Sequence, residues 1–243
     1  MSKNPVDPEM RRRFEEAEKT RIAETGLRAP PLNLDAASLR AHFQSAIGQA
    51  QRELENPHVE PRVTEEQRQK AKPASVLIAI VLREAGPTVV FTKRHPDLSF
   101  PGHWVFPGGH ADAEDASPFA TAIREAKEEI GLDPNRVEVL GRLGDYVSHS
   151  GFRIAPVVAL VEPPVEFAAQ PTEVDAIAEI PLAHLLDSAS YFIFRFAQRK
   201  DRAHFALDAT IDQHSGDEEI LLTGVTVSVC IGLYSELLKT QSS

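Results

Sequence analysis

From Gly108 to Gly131 the chain reads GGHADAEDASPFATAIREAKEEIG, and this segment constrains the fold more than any other. Ser117 is an N-cap residue, Pro118 suits the first helical position, and Gly131 supplies a C-terminal stop, so a helix is expected between them. Phe119, Ala122, Ile123, Ala126 and Ile130 recur at helical spacing and make one packing stripe. Glu125, Glu128 and Glu129 recur at i,i+3 and i,i+4, so three carboxylates share a neighbouring face. Like charges at that spacing repel by a few tenths of a kcal/mol per pair unless a cation sits among them. A glycine turn feeding such a face suits a Mg²⁺ site, because the ion takes oxygen ligands and leaves positions open for phosphate oxygens.

Acidic runs are usually solvated faces, and Arg124 with Glu128 is an ordinary i,i+4 pair. The preceding Phe106-Pro107-Gly108-Gly109 and the closing Ile130-Gly131-Leu132 shift the balance. The stretch resembles the Nudix box, G-x5-E-x7-R-E-(apolar)-x-E-E-x-G-(apolar), through Gly109, Arg124-Glu125, Glu128-Glu129 and Gly131-Leu132. It departs by one extra residue between Gly109 and Arg124 and by Asp115 at the first acidic position. The resemblance implies an α+β fold, the Nudix α/β/α sandwich with a mixed sheet, and hydrolysis of a nucleoside diphosphate derivative.

The likeness extends to a coenzyme A pyrophosphatase branch. It is carried by Thr92-Lys93-Arg94, by Asp145-Tyr146-Val147-Ser148 with Gly151 to Val158, and by Pro171-x-Glu173-Val174 leading to Glu179-Ile180-Pro181-Leu182. The span from Arg94 to Gly102 is one residue shorter than that branch leads one to expect and lacks a basic residue. A nucleotide sugar, ADP-ribose, NADH or a dinucleoside polyphosphate therefore stays open as substrate beside coenzyme A; a non-catalytic ligand-binding scaffold is a separate alternative, against which stands the presence of all three box glutamates.

Under this resemblance Glu125, Glu128 and Glu129, with the Gly109 carbonyl, are the expected ligands of one to three Mg²⁺ or Mn²⁺ ions. Arg124 is expected to orient the glutamates or the loop. The general base falls to Glu128, Glu129 or Glu173, the last on a mobile loop. Arg94 and Arg153 are the phosphate-clamp candidates, weighed evenly against surface salt bridges. His103, His110 and His149 read as loop histidines, since Mg²⁺ prefers oxygen. Trp104 reads as a nucleobase platform or a core residue, and Asp112 and Asp115 as loop caps or ligands of a second ion.

The rest of the chain sets bounds. Its 243 residues, 42% of them hydrophobic, hold one domain with an extension, placed here at 1–72 (helical) and 73–243 (catalytic). A net charge of −10 disfavours nucleic acid as a partner and leaves a small nucleotide as the expected one, with the oligomeric state open and a homodimer among the options. No apolar run nears the roughly 18–20 residues of a membrane span, so no membrane partner is expected. The single Cys230 reads as a core thiol and, without a signal peptide, suggests a cytoplasmic setting.

Element by element, Met10 to Thr25 is charge-dense and helix-permissive, Asp35 caps a helix expected to reach Glu55, and Thr64 to Lys72 allows a short helix. Strands are expected at 74–82, 88–94, 137–140, 144–147, 154–161 and 177–182, then a short helix from Ala183 and a long one over 220–238.

Overall fold

The computed structural model describes residues 16–24, 31–45, 63–196, 204–213 and 216–241. The stretches 1–15 and 46–62, on which parts of the expected N-terminal helices fall, lie outside the described residues.

Two strands set the frame, β2 (Lys72–Arg83) and β8 (Phe152–Val161), which pair in parallel from Lys72↔Phe152 to Val81↔Val161. Both are nearly all apolar because both faces of the sheet are covered. Alternation sends Leu77, Ala79 and Val81 with Val157, Ala159 and Val161 toward one cluster, and Ile78 and Ile80 with Val158 and Leu160 toward the other. Around them lie β3 (Gly86–Arg94), β4 (Trp104–Val105), β5 (Gly108–His110), β6 (Val137–Arg142), β7 (Tyr146–Val147) and β9 (Val174–Pro181), eight strands in all. Only the β2–β8 pairing is parallel among the register pairs of this sheet, so the sheet is mixed as expected.

One face is covered by α3 (Pro118–Ile130), whose Ala122, Ala126 and Ile130 join the first cluster. The other packs on α1 (Ala36–Gln44), through Leu39 and Phe43, and on α5 (Gly224–Gln241), through Val227, Cys230, Leu233 and Leu237. Helices on both faces of a mixed sheet are the sandwich that the resemblance implies. Burial pushes the Cys230 thiol well above its ordinary range, in keeping with a core residue and not a nucleophile.

A second, four-stranded antiparallel sheet was not expected. It runs β1 (Glu18–Arg21), β10 (Tyr191–Arg195), β11 (His204–Gln213), β12 (Gly216–Thr223). The charge-dense segment near residue 20 is thus a strand and a 3₁₀ turn, Ile22–Glu24, rather than helix. A charged stretch without an apolar stripe gains little as a helix, whereas pairing with β10 satisfies its backbone. The C-terminal helix likewise starts later than expected: Ile220 to Thr223 complete β12, and Gly224, at φ 56, turns the chain into α5.

Short elements follow the local rules. Asp35 caps α1, but that helix ends at Gln44. Thr64 and Gln67 form a reciprocal capping box on α2 (Glu65–Lys70), and α4 (Leu182–Leu185) is the expected short helix. Among the described residues no helix is long and apolar enough to cross a membrane.

Candidate active site

The site is built where β5 meets α3. Ser117 accepts a hydrogen bond from the Ala120 amide and Gly131 takes a left-handed φ of 67°, so α3 begins and ends where the sequence says it should. β5 pairs with the first half of β2, Ser75 opposite Gly109 and Val76 opposite Gly108, which lays the glycine pair along the helix.

Gly108 is required by close approach to backbone, and Gly109 lies hard against a side-chain tip. A Cβ on Gly109 would stand 2.6 Å from the Glu125 carboxyl atoms, and one on Gly108 would stand 2.3 Å from the Ser75 carbonyl oxygen. The Gly108 amide donates to Glu129 Oε2 at 3.1 Å.

Glu129 differs from the expectation that all three glutamates face away from the packing stripe. It is only 7% exposed, because seven residues, two helical turns, separate it from Ala122 and place it on the edge of the stripe itself. Burial pushes its carboxyl up to about 8, aided by the nearby charges of Glu125 and Glu173 and opposed by the Gly108 amide and Arg94. Glu125 is raised as well, chiefly by burial, with Glu128 and Glu173 adding repulsion against the pull of Arg124.

Arg124 touches almost everything else. Its Nε and Nη2 donate to the two carboxylate oxygens of Asp115 at 3.1 and 2.9 Å, and Nη2 also donates to the His110 carbonyl at 2.9 Å. Its Nη1 stands 3.0 Å from Glu125 Oε1 and 3.0 Å from Glu128 Oε2. Asp115 is fixed further by the Asp112 amide and the Thr121 hydroxyl, both at 2.9 Å, and the Arg124 guanidinium holds its carboxyl far below the usual range. Asp115 is therefore the loop's anchor, and Asp112 is the partner that caps it.

Glu173 is exposed, yet its loop is not loose. The Gln170 amide donates to the Glu129 carbonyl at 2.8 Å, the Glu173 amide to the Gln170 carbonyl at 3.0 Å, and the His95 amide to the Glu173 carbonyl at 2.9 Å. These bonds tie the loop to the end of α3 and the end of β3. Just after it, β9 pairs with β3 through a bulge, with Lys93 opposite Ala176 and Arg94 opposite Val174. The extra residue, Asp175, bends the strand pair beside Arg94 and Glu173, whose charges act on Glu129.

The two arginines expected as clamp candidates separate. Arg94 acts electrostatically on Glu129, while its Nε donates to the Ser99 carbonyl at 2.8 Å. Arg153 donates to the Arg68 carbonyl at 3.0 Å and stands 3.5 Å from Asp145, at the α2 side of the sheet. Trp104 is 5% exposed, with Lys93 Nζ 5.7 Å from its ring centre, so it is a core residue and no open platform. His110 stacks on Phe152 at 4.6 Å, and His103 meets Phe100 edge-on at 5.9 Å. The burial of Glu129 was foreseeable from its spacing to Ala122; the Gln170 anchor and the Thr121 bond carry no sequence signal.

A family model for the NUDIX domain matches residues 71–200. The Nudix hydrolase NudL of Photorhabdus laumondii is 35% identical over 157 residues, 64% of this chain and 80% of the relative. NudL of Escherichia coli K12 is 40% identical over 129 residues, 53% of this chain and 67% of the relative. NudL of Yersinia enterocolitica is 42% identical over 120 residues, 49% of this chain and 61% of the relative. Among solved structures, the Nudix hydrolase RenU of M. smegmatis aligns at 20% identity and a TM-score of 0.41, over 46% of this chain and 71% of that one. The chain belongs to the Nudix family.

That membership raises the question of a divalent cation. Among the described residues no three His, Cys, Asp or Glu side chains stand grouped as they would around an ion. The reason is visible: Arg124 draws Glu125 and Glu128 to itself. The donor set nonetheless fits. Burial and the nearby Glu125 and Glu173 push the Glu129 carboxyl up to about 8, and a hard ion ligated by oxygen would relieve that conflict between burial and charge.

Proposed function

We propose that this Nudix pyrophosphohydrolase cleaves the diphosphate of a nucleotide, coenzyme A or an acyl derivative of it, to adenosine 3′,5′-bisphosphate and a 4′-phosphopantetheine species. The observation that carries the hydrolytic reading is the buried Glu129, held by the Gly108 amide, beside Glu125 at a glycine pair packed hard against the helix. Glu125, Glu128, Glu129 and the Gly109 carbonyl would hold Mg²⁺ or Mn²⁺, which supplies charge neutralisation on the phosphate and an acidified water.

The chain's own residues do the remaining work. Arg124 positions: through Asp115 and the His110 carbonyl it locks the loop, and it steers Glu125 and Glu128. Attack of water on phosphorus breaks one P–O bond of the diphosphate, and the water's proton passes to a carboxylate. Glu128, Glu129 and Glu173 are the groups within the cluster that can take it; Glu173, on its pinned loop, is exposed and free of a metal-binding task.

The coenzyme A reading is supported by the branch likeness in Thr92-Lys93-Arg94, Gly151-Phe152-Arg153 and Pro171-x-Glu173-Val174. Its 3′-phosphate requires a cation, and Arg153, 40% exposed, is our candidate to supply it. A second reading, a diphosphate without that phosphate such as ADP-ribose, is favoured by the engagement of Arg153 with Asp145 and of Arg94 with Ser99.

A panel of coenzyme A, ADP-ribose, NADH and a dinucleoside polyphosphate, with products read by mass, decides between them. Activity should vanish in excess chelator and return with Mg²⁺ or Mn²⁺. Arg153→Ala should lower kcat/KM for coenzyme A about tenfold more than for ADP-ribose, in line with loss of one charge-assisted contact. Turnover of ADP-ribose far above that of coenzyme A overturns the substrate assignment, and full turnover in chelator overturns the chemistry.

A further inference from the structure

The loop between β3 and β4 carries a feature that the hydrolytic reading leaves unused. Phe100 is 62% exposed, and among the described residues it is the one aromatic side chain left exposed. Its backbone sits at φ 58, the left-handed region, and it is the only non-glycine residue there among those described. For a bulky residue that conformation costs about 1 kcal/mol or more, and a ring left 62% exposed beside its edge-on contact with His103 gains little burial to offset it.

The loop is nonetheless well held. Arg94 Nε donates to the Ser99 carbonyl at 2.8 Å, the Gly102 amide to the Arg94 carbonyl at 3.0 Å, and the Arg94 amide to the His103 carbonyl at 3.0 Å. Those bonds hang the loop on Arg94, whose charge is felt by Glu129, and on the strand end next to His95, whose amide holds Glu173. A strained, exposed ring is thus braced at the edge of the phosphate chemistry.

We propose that Phe100 is the nucleobase platform of this site, its ring stacking on the base of the nucleotide substrate. The inference rests on the reading of the substrate as a nucleotide and adds the residue that reads the base. Stacking is available to any base, since each has a π-face, and it works best on a ring already fixed in place. Trp104 and Phe106, the aromatics just before the glycine pair in sequence, are buried and cannot serve. Phe152 is covered by His110.

The test uses the full chain with Mg²⁺ and compares calorimetric binding of ADP with that of inorganic diphosphate, which lacks the base. Phe100→Ala should weaken ADP about tenfold and leave inorganic diphosphate unchanged. Phe100→Trp should keep ADP affinity, and its added fluorescence should be quenched by ADP but not by inorganic diphosphate. Phe100→Gly, free of the φ penalty, should melt above Phe100→Ala while binding ADP equally weakly, which separates loss of the ring from damage to the loop.

Unchanged ADP affinity in Phe100→Ala, equal loss of both ligands, or no ADP binding by the wild-type protein each overturns the platform. Turnover of the diphosphate panel is measured on the same samples. Base-dependent binding without turnover removes the hydrolase reading and leaves the platform standing; turnover indifferent to Phe100 does the reverse.

Discussion

Glu129→Gln in metal-free buffer tests the core of the site without relying on any substrate. Glu129 has an ordinary carboxyl value of 4.5 when unfolded and about 8 when folded, so the folded state binds the extra proton throughout that window. Stability therefore is greatest below the lower value and falls as pH rises toward the upper one, by about 1.4 kcal/mol for each pH unit between them. Across pH 5.5 to 7.5 the wild-type protein should lose about 2–3 kcal/mol from this group alone. Gln keeps the shape and can still accept from the Gly108 amide, but has no charge to bury.

The assay is urea unfolding in chelator at several pH values, for both proteins. The difference in unfolding free energy should widen with pH in favour of Glu129→Gln, and the variant should lose kcat by orders of magnitude. Glu125, raised in the same direction, stays in both proteins and contributes a shared slope. Mg²⁺ should steady the wild-type protein at pH 7.5 more than the variant, by mass action on the folded state. Parallel pH curves for the two proteins would refute the argument, since Glu129 would then be charged at little cost.

Two further substitutions separate geometry from charge. Gly109→Ala pushes a methyl group into the Glu125 carboxyl, 2.6 Å away; Glu125 must swing aside, so kcat should fall about tenfold or more while circular dichroism stays unchanged. Asp115→Asn removes the charge that both Arg124 Nε and Nη2 engage, so Arg124 should drift and Mg²⁺ affinity, read by activation curves, should weaken about 10–100-fold. An Asp115→Asn enzyme with normal Mg²⁺ activation would show that Arg124 needs no anchor.

The legible parts of this molecule are those written in local chemistry. Ser117, Pro118 and Gly131 bound α3 as their capping preferences dictate, and the apolar run of β2 announces a strand covered on both faces. The second sheet was hidden because its edge strand, Glu18–Arg21, has three charged residues in four and no apolar one, and its reason to be extended is a partner about 170 residues later. The start of α5 was blurred for a related reason. Ile220 to Thr223 are apolar enough for either state, and pairing with Ala206 to Ala209 decides it.

Glu129 shows how a motif can point to a residue and still misplace it. Read as one of three acids, it belongs on an open face; read by its seven-residue interval from Ala122, it belongs on the packed one. Packing prevails, because the helix is docked through Ala122, Ala126 and Ile130 and cannot roll to free one carboxylate. That conflict between burial and charge is what should make the site responsive to a cation. Glu128 is 56% exposed and pairs with Arg124, whereas the Glu129 carboxyl is buried and pushed up to about 8, so an ion bound there would displace its proton. Metal affinity should accordingly rise with pH up to about 8, as protons leave Glu129 on binding, and a Mg²⁺ titration that releases no proton at pH 7 would contradict it.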